Sequence, residues 1–293
     1  MDKPIMNLEQ RREAFADCAT MAKAMEVVTQ KKVGHRAYSF YTSLDRVQQM
    51  LTGKMPNMWL TRINSGVFDD LIECKKYGAH EKQSRFFIKC FEYGFRESAA
   101  MWGLYCPATY KAIRVAVTEK ALMSLLESQC FDISHGRPTQ KKLRVTMDFG
   151  DLVYASVKTK EDDPERSTFL YWNGVRTKQI PDLYKKLCCR ATAGRLKDIE
   201  WSFENEARLI VRTSKSKKAK HIAIKLPADF INGMSFTLSP WADDSEEKLV
   251  REKLVEWLKT AGRENISSEG RKVFRPSVLK GALKKWAERR GLA

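Results

Sequence analysis

No stretch of the 293 residues approaches the roughly 18 consecutive apolar residues that a membrane-crossing helix needs. No secretory leader is expected, since the opening MDKPIMNLEQRREAF is charged throughout. No membrane partner is expected, and the expected location is cytoplasmic. Acidic residues are scarce: 36 Asp and Glu stand against 53 Lys and Arg, a formal net charge of +17. That imbalance concerns partners and not fold. It points to a polyanion such as DNA, RNA, an acidic protein or a nucleotide, or to a basic surface that only aids solubility.

Paired metal-ligand spacing is also lacking. The seven cysteines, an odd number, include no CxxC pair, and Cys188 and Cys189 are adjacent. This suits neither a zinc knuckle nor a disulfide framework, and reads as reduced, mostly buried thiols. His35, His80, His135 and His221 are scattered, so no metal is expected. The chain has no Walker loop, GxSxG, HExxH or GxGxxG. Most motif-bearing enzyme classes lose their usual signature.

What is present is globular: 43% hydrophobic and 30% charged residues exclude wholesale disorder. Apolar residues at helical spacing predict one helix over 7–31, capped by Asn7. Residues 37–42 read as an aromatic strand, followed by a helix capped by Ser43 and ending at Gly53. Further strands are expected at 58–61, 86–91, 111–117, 152–157, 207–212 and 221–226. Helices are expected from Ser98 to Tyr105, Glu119 to Leu126 and Ile180 to Cys189. Two more close the chain, one over 245–261 capped by Ser245 and one from Pro276. Residues 132–150 are polar and basic and receive no element. Lys215, Lys217, Lys218 and Lys220 suit a hairpin tip, solvated or in contact with phosphate.

The expected fold class is α+β, a strongly bent central β structure of about six to eight strands flanked by helices. Residues 1–32 read as a helical appendage and 33–293 as a single domain. Trp59, Phe87, Met101, Trp102, Leu209 and Val211 are the expected core.

The most informative local feature is Glu204-Asn205-Glu206 at the mouth of an apolar strand. Strand alternation points both carboxylates to one side, where like charges need a compensating cation or ligand. Arg208 is a candidate cation. A surface Glu–Arg ladder of little energetic value is the plainer reading.

Several blocks in order resemble the bacterial domain-of-unknown-function family numbered 2971. They are Tyr38-Ser39-Phe40-Tyr41, Trp59-Leu60-Thr61, Phe68-Asp69-Asp70-Leu71-Ile72-Glu73, and Lys89-Cys90-Phe91 with Met101-Trp102-Gly103-Leu104-Tyr105. Trp201 with Glu204, Glu206 and Arg208 is similar to the family's W-x-x-E-x-E-x-R, and Ser239-Pro240 with the final helices is similar to its ending. The likeness covers residues 36–280.

A second likeness implies an activity. Phe40 to Asp45, the helix after it, Gly53 and Thr61 resemble the layout of ADP-ribosyltransferases that modify DNA or RNA, with Phe40 where that motif usually has His or Arg. The resemblance implies NAD as substrate and Tyr38, Phe40, Tyr41 and Thr61 around it. Glu206 would stabilise the oxocarbenium-like centre and Glu204 would orient the acceptor. It further implies a toxin or phage-defence effector, a nucleic-acid or protein acceptor, and an antitoxin partner. Two other readings stand beside it. One is a nucleic-acid-binding protein without catalysis, using tryptophans and basic residues. The other is a metal-dependent hydrolase using Asp69, Asp70, Glu73 and the two glutamates; by itself, the Asp69-Asp70 loop reads as a structural turn.

Overall fold

The computed structural model of the protein describes residues 6–29, 37–63, 84–94, 96–106, 108–155, 169–180, 194–215, 217–267, 270 and 272–289. The expected helix from Ile180 to Cys189, the Asp69-Asp70 loop and His35 lie outside the described residues, apart from Ile180 itself. The helices are α1 (Leu8–Ala16), α2 (Met21–Thr29), α3 (Leu44–Leu51), α4 (Ala99–Tyr105), α5 (Glu119–Met123), α6 (Ala228–Asn232), α7 (Asp244–Thr260) and α8 (Ala282–Arg289). The first strands are β1 (Ala37–Ser43), β2 (Asn57–Arg62), β3 (Phe86–Tyr93), β4 (Ala112–Thr118), β5 (Cys130–Ser134), β6 (Arg137–Lys142) and β7 (Val145–Asp151). They continue with β8 (Val153–Ala155), β9 (Leu170–Trp172), β10 (Val175–Arg176), β11 (Leu196–Asp198), β12 (Glu206–Thr213), β13 (His221–Lys225), β14 (Met234–Leu238) and β15 (Phe274–Arg275).

The protein is α+β, and its chain divides into two compact units. The first takes Met1–Gly34, Trp59–Phe91 and Asp132–Ile222; the second takes His35–Met58, Glu92–Phe131 and Ala223–Ala293. Fifteen strands are found among the described residues, against the six to eight expected. The surplus comes largely from short strands and from 130–151, where β5, β6 and β7 form. Most of β6 is exposed, so its sequence lacks the apolar alternation that marks a half-buried strand.

In the first unit, α1 and α2 share a core with a small sheet of order β10-β9-β8-β11, in which β11 runs parallel to β8. Phe15, Val28, Leu170, Trp172 and Leu196 pack together there, with the Phe15 and Trp172 rings 5.4 Å apart. The single helix expected over 7–31 is two helices. Asp17 ends the first, and Thr20 Oγ1 accepts the Lys23 N–H at 3.3 Å to start the next. Polar side chains here satisfy backbone groups that a continuous helix would have paired internally. Asn7 caps α1 as its sequence predicts, and Gln10 closes a capping box. Arg11 is almost wholly buried. It donates to the Val27 and Val28 carbonyls at 3.1 and 2.8 Å, satisfying orphan acceptors in the last turn of α2.

The unit's larger sheet has the order β6-β5-β13-β2-β3-β12-β7. Phe87, Leu209 and Val211 are buried in it as expected, whereas Trp59 is only half-buried. β12 and β13 pair with other strands and not with each other, so residues 214–220 link separate strands and are no hairpin tip. A real hairpin joins β5 to β6. Its turn residues His135 and Gly136 both have positive φ, 47° and 73°, which matches the twist of the flanking strands.

In the second unit the order is β15-β14-β4-β1, and the last two residues of β3 pair with β1 as Tyr38↔Tyr93 and Ser39↔Glu92. β14 and β15 are parallel and the other pairs antiparallel, a mixed sheet. Tyr41, Met101, Trp102 and Ala112 form a buried cluster beneath α4. Ser43 caps α3 as its position suggests. Asp243, not Ser245, caps α7: its carboxylate accepts the Glu246 N–H at 2.8 Å, and Glu246 reaches back to the Asp243 N–H. A carboxylate suits the positive end of a helix dipole better than a hydroxyl does.

Trimming Phe15 to Ala should lower stability by about 3–5 kcal/mol, because it empties the side of the Trp172 ring. Urea denaturation of the full chain measures this; a loss below about 1 kcal/mol would show that α1 contributes little to that core.

Candidate functional site

Glu204 and Glu206 do face one another's surroundings, but not through strand alternation. Glu204 ends a 3-10 helix (Ile199–Glu204), Asn205 takes a left-handed conformation with φ 45°, and Glu206 opens β12. Asn is among the few non-glycine residues that adopt this conformation readily. The kink turns both carboxylates onto Lys197. The Lys197 ammonium donates to Glu204 at close range and to Glu206 Oε2 at 3.4 Å. Arg208 completes the set, with Nε and Nη2 reaching the Glu206 oxygens at 2.5 and 3.2 Å and Nη1 reaching the Gly194 carbonyl at 3.1 Å. The Glu206 N–H donates to the Tyr154 hydroxyl at 2.8 Å, and Trp201 lies 4.6 Å beneath the Lys197 ammonium. All four charged groups are at least nine-tenths buried.

Arg208 was legible as a partner from its spacing. Lys197 was not, because it comes from β11 and shares no strand with the glutamates. Burial works to raise the Glu206 pKa, but the Arg208 and Lys197 charges outweigh it and hold the carboxyl down to about 2. Burial likewise opposes the Lys197 charge, and Glu206 and then Glu204 reverse that and raise its pKa. Glu206 and Lys197 therefore face one another as charged groups at neutral pH.

Thr61 belongs to the same unit. It pairs with Ile88, so Trp59, Thr61 and Ile63 share a sheet face with Phe86, Ile88 and Cys90. Ile210 packs against Ile63 and Ile88, which places Glu206 and Arg208 on this face too. Cys90 hydrogen-bonds Glu206 from β3. At the far side, the Thr61 hydroxyl meets His221 Nδ1 at 3.3 Å and the His221 ring lies 5.5 Å from that of Trp59. One face thus carries Thr61, Cys90 and Glu206, with Glu204 joined to it through Lys197.

The other expected site residues belong to the second unit. Tyr38, Phe40 and Tyr41 are 0%, 6% and 7% exposed. Tyr41 packs edge-on against Trp102 at 4.9 Å and its hydroxyl accepts the Ser98 N–H at 3.0 Å. A polar cluster that no motif announced adjoins it: Ser39 donates to Glu92 Oε2 at 3.2 Å, and Arg114 Nε lies 3.8 Å from the same oxygen. Desolvation outweighs Arg114 there and raises the Glu92 pKa. These groups are buried between strands, where sequence offers only a lone Glu and Arg.

No family model, curated protein or solved structure matches the chain. Among the described residues no group of three or more His, Cys, Asp or Glu is placed to hold a metal ion, and no helix is long and apolar enough to cross a membrane.

The first unit also gathers cations. Arg137, Lys141, Lys142 and Arg144 are exposed on β6 and the turn after it, and Lys215, Lys218 and Lys220 on the segment after β12. The two segments are tied by the Ser214 N–H to the Arg144 carbonyl at 3.0 Å. Lys217 anchors the second segment to Asp132 at 3.0 Å, and Arg62 donates to its carbonyls at Lys217 and Lys218.

The depressed Glu206 pKa stabilises the fold above the ordinary carboxyl value of 4.5, and that contribution is lost as pH falls toward about 2. Lys197→Met, which leaves two buried carboxylates with one cation, should cost about 3–5 kcal/mol at neutral pH. Denaturation midpoints across pH 2–7 check both. A flat acid limb, or a neutral Lys197→Met variant, would show that the network carries no such coupling.

Proposed function

We propose that the first unit binds a polyanion, with nucleic acid as the partner class. The supporting observation is two sets of exposed cations, Arg137, Lys141, Lys142 and Arg144 on one segment and Lys215, Lys218 and Lys220 on another, tied where the Ser214 N–H meets the Arg144 carbonyl. Such a surface attracts phosphates through counterion release, with an affinity that falls steeply with salt. The buried ion network acts as its foundation. Glu206 is already met by Arg208 and Lys197, so at rest its charge serves the fold. Charge reversal at Lys141, Lys142 and Lys218 should lower affinity for nucleic acid at least about tenfold and flatten the salt dependence, with the melting temperature unchanged. Anisotropy titrations of labelled oligonucleotides at several salt concentrations read this; unchanged affinity would sink the proposal.

A second reading is favoured by one observation, that Thr61 and Glu206 share a sheet face to which Lys197 joins Glu204. On this reading the protein is an NAD-dependent ADP-ribosyltransferase, related to the family numbered 2971, that acts as a toxin or phage-defence effector. A ligand would have to draw Lys197 or Arg208 away before Glu206 could face a ribose cation. Incubation with labelled NAD and separate pools of DNA, RNA and protein tests it. Transfer that is lost in Glu206→Gln, with the fold retained, would favour this reading over simple binding, at a cost in rate of a hundredfold or more, roughly.

A further inference from the structure

The outer hairpin of the first unit has a shape that its charge alone does not require. β6 ends the larger sheet, so its outer edge has no strand beside it among the described residues. The two-residue turn His135-Gly136 joins it to β5, and β13 lies on the other side of β5. No residue from Ser134 to Lys142 is buried. Successive strand residues point to opposite faces, and Gln140, Lys141 and Lys142 are all exposed, so the end of β6 is covered on neither face. The charge here has one sign. No Asp or Glu lies between Asp132 and Asp148, while Arg137, Lys141, Lys142 and Arg144 are exposed.

The residue types in these segments discriminate between polyanions. A protein that holds a single strand sets aromatic rings along its cationic track for the bases to stack on. Residues 134–144 and 214–220 contain no Phe, Tyr or Trp. A duplex needs no such ring, because its phosphates lie outside and its bases are already stacked. The major groove of B-form DNA, about 12 Å wide, admits a two-stranded β ribbon. The major groove of an RNA duplex is deep and too narrow for one.

We infer that the first unit takes duplex DNA, with the β5–β6 turn and the outer strand entering the major groove. Arg137, Lys141 and Lys142 meet the phosphates that border the groove. Lys215, Lys218 and Lys220 reach further phosphates from the segment that the Ser214 N–H ties to the Arg144 carbonyl at 3.0 Å. This rests on the polyanion reading and specifies its ligand. The turn residues His135 and Gly136, with φ 47° and 73°, hold the hairpin in shape, so little chain freedom is lost on binding.

The test uses the full chain and one mixed sequence of about 20 base pairs containing an A·T run, labelled in three forms: DNA duplex, RNA duplex and single DNA strand. Anisotropy titrations at several salt concentrations should show the DNA duplex bound about tenfold more tightly than the other two. Methyl green, which occupies the major groove, should displace the protein, and netropsin, which occupies the minor groove, should not. Arg137→Glu with Lys141→Glu should weaken duplex binding about tenfold or more and lower the salt slope by about two, with the melting temperature unchanged. A single strand or an RNA duplex bound as tightly as the DNA duplex overturns the inference. So does displacement by netropsin in place of methyl green, or an unaltered Arg137→Glu, Lys141→Glu variant. Where the complexes still weaken with salt, those results leave the polyanion reading standing. Failure of all three forms to bind removes the two together.

Discussion

The first unit is organised around a charge problem solved in its interior. Two carboxylates, an ammonium and a guanidinium meet in a buried cluster, where Glu206 and Lys197 keep their charges through their neighbours. Removing ions from water costs several kcal/mol apiece, and only near-complete pairing offsets it. The residues therefore fix more than each other. Lys197 ties β11 of the small sheet to β12 of the large one, Tyr154 of β8 accepts from the Glu206 backbone, and Arg208 holds the Gly194 carbonyl. Gly194 itself has φ 76°, a conformation that favours glycine, and it lies against Ile210, Ile88 and Ile63. The ion network, the left-handed residues around it and the isoleucine cluster thus form one connected device.

The second unit handles buried charge differently. Glu92 is desolvated more than Arg114 compensates, and its pKa rises where that of Glu206 falls. Ionising Glu92 therefore works against the fold: its contribution diminishes as pH rises through the raised value. The two carboxyls respond to acid in opposite senses, and the cause in both is the balance between burial and the neighbouring cations. Arg208 closes on Glu206 at 2.5 Å, while Arg114 Nε stays 3.8 Å from Glu92.

What could be read from the sequence was what depends on neighbours along the chain. Asn7 and Ser43 cap helices because a cap needs only the next three residues. Glu206 with Arg208 was legible because alternate strand residues share a side. Lys197, Cys90 and Glu92 were not, since each owes its role to a partner on another strand. The exposed strand β6 was missed because a strand with little buried surface carries no apolar period. Trp59 shows the opposite error: an apolar strand suggested burial, but beside the polar Thr61 and His221 the residue is only half-buried. Of the site expected from the sequence, Thr61, Glu204 and Glu206 lie in the first unit. Its aromatic half, Tyr38, Phe40 and Tyr41, packs in the other one.

The way the chain is shared between its units has a consequence for synthesis. Each unit is assembled from three separated stretches, and the first closes only when residues near Ile222 arrive to join strands made from residues near Trp59. Pairings of such long separation are entropically costly to bring together and slow to form. On the ribosome, where domains ordinarily fold as they emerge at about 5–20 residues per second, neither unit can be completed early. No single cut separates the two units, because each takes stretches of chain from both sides of the other's.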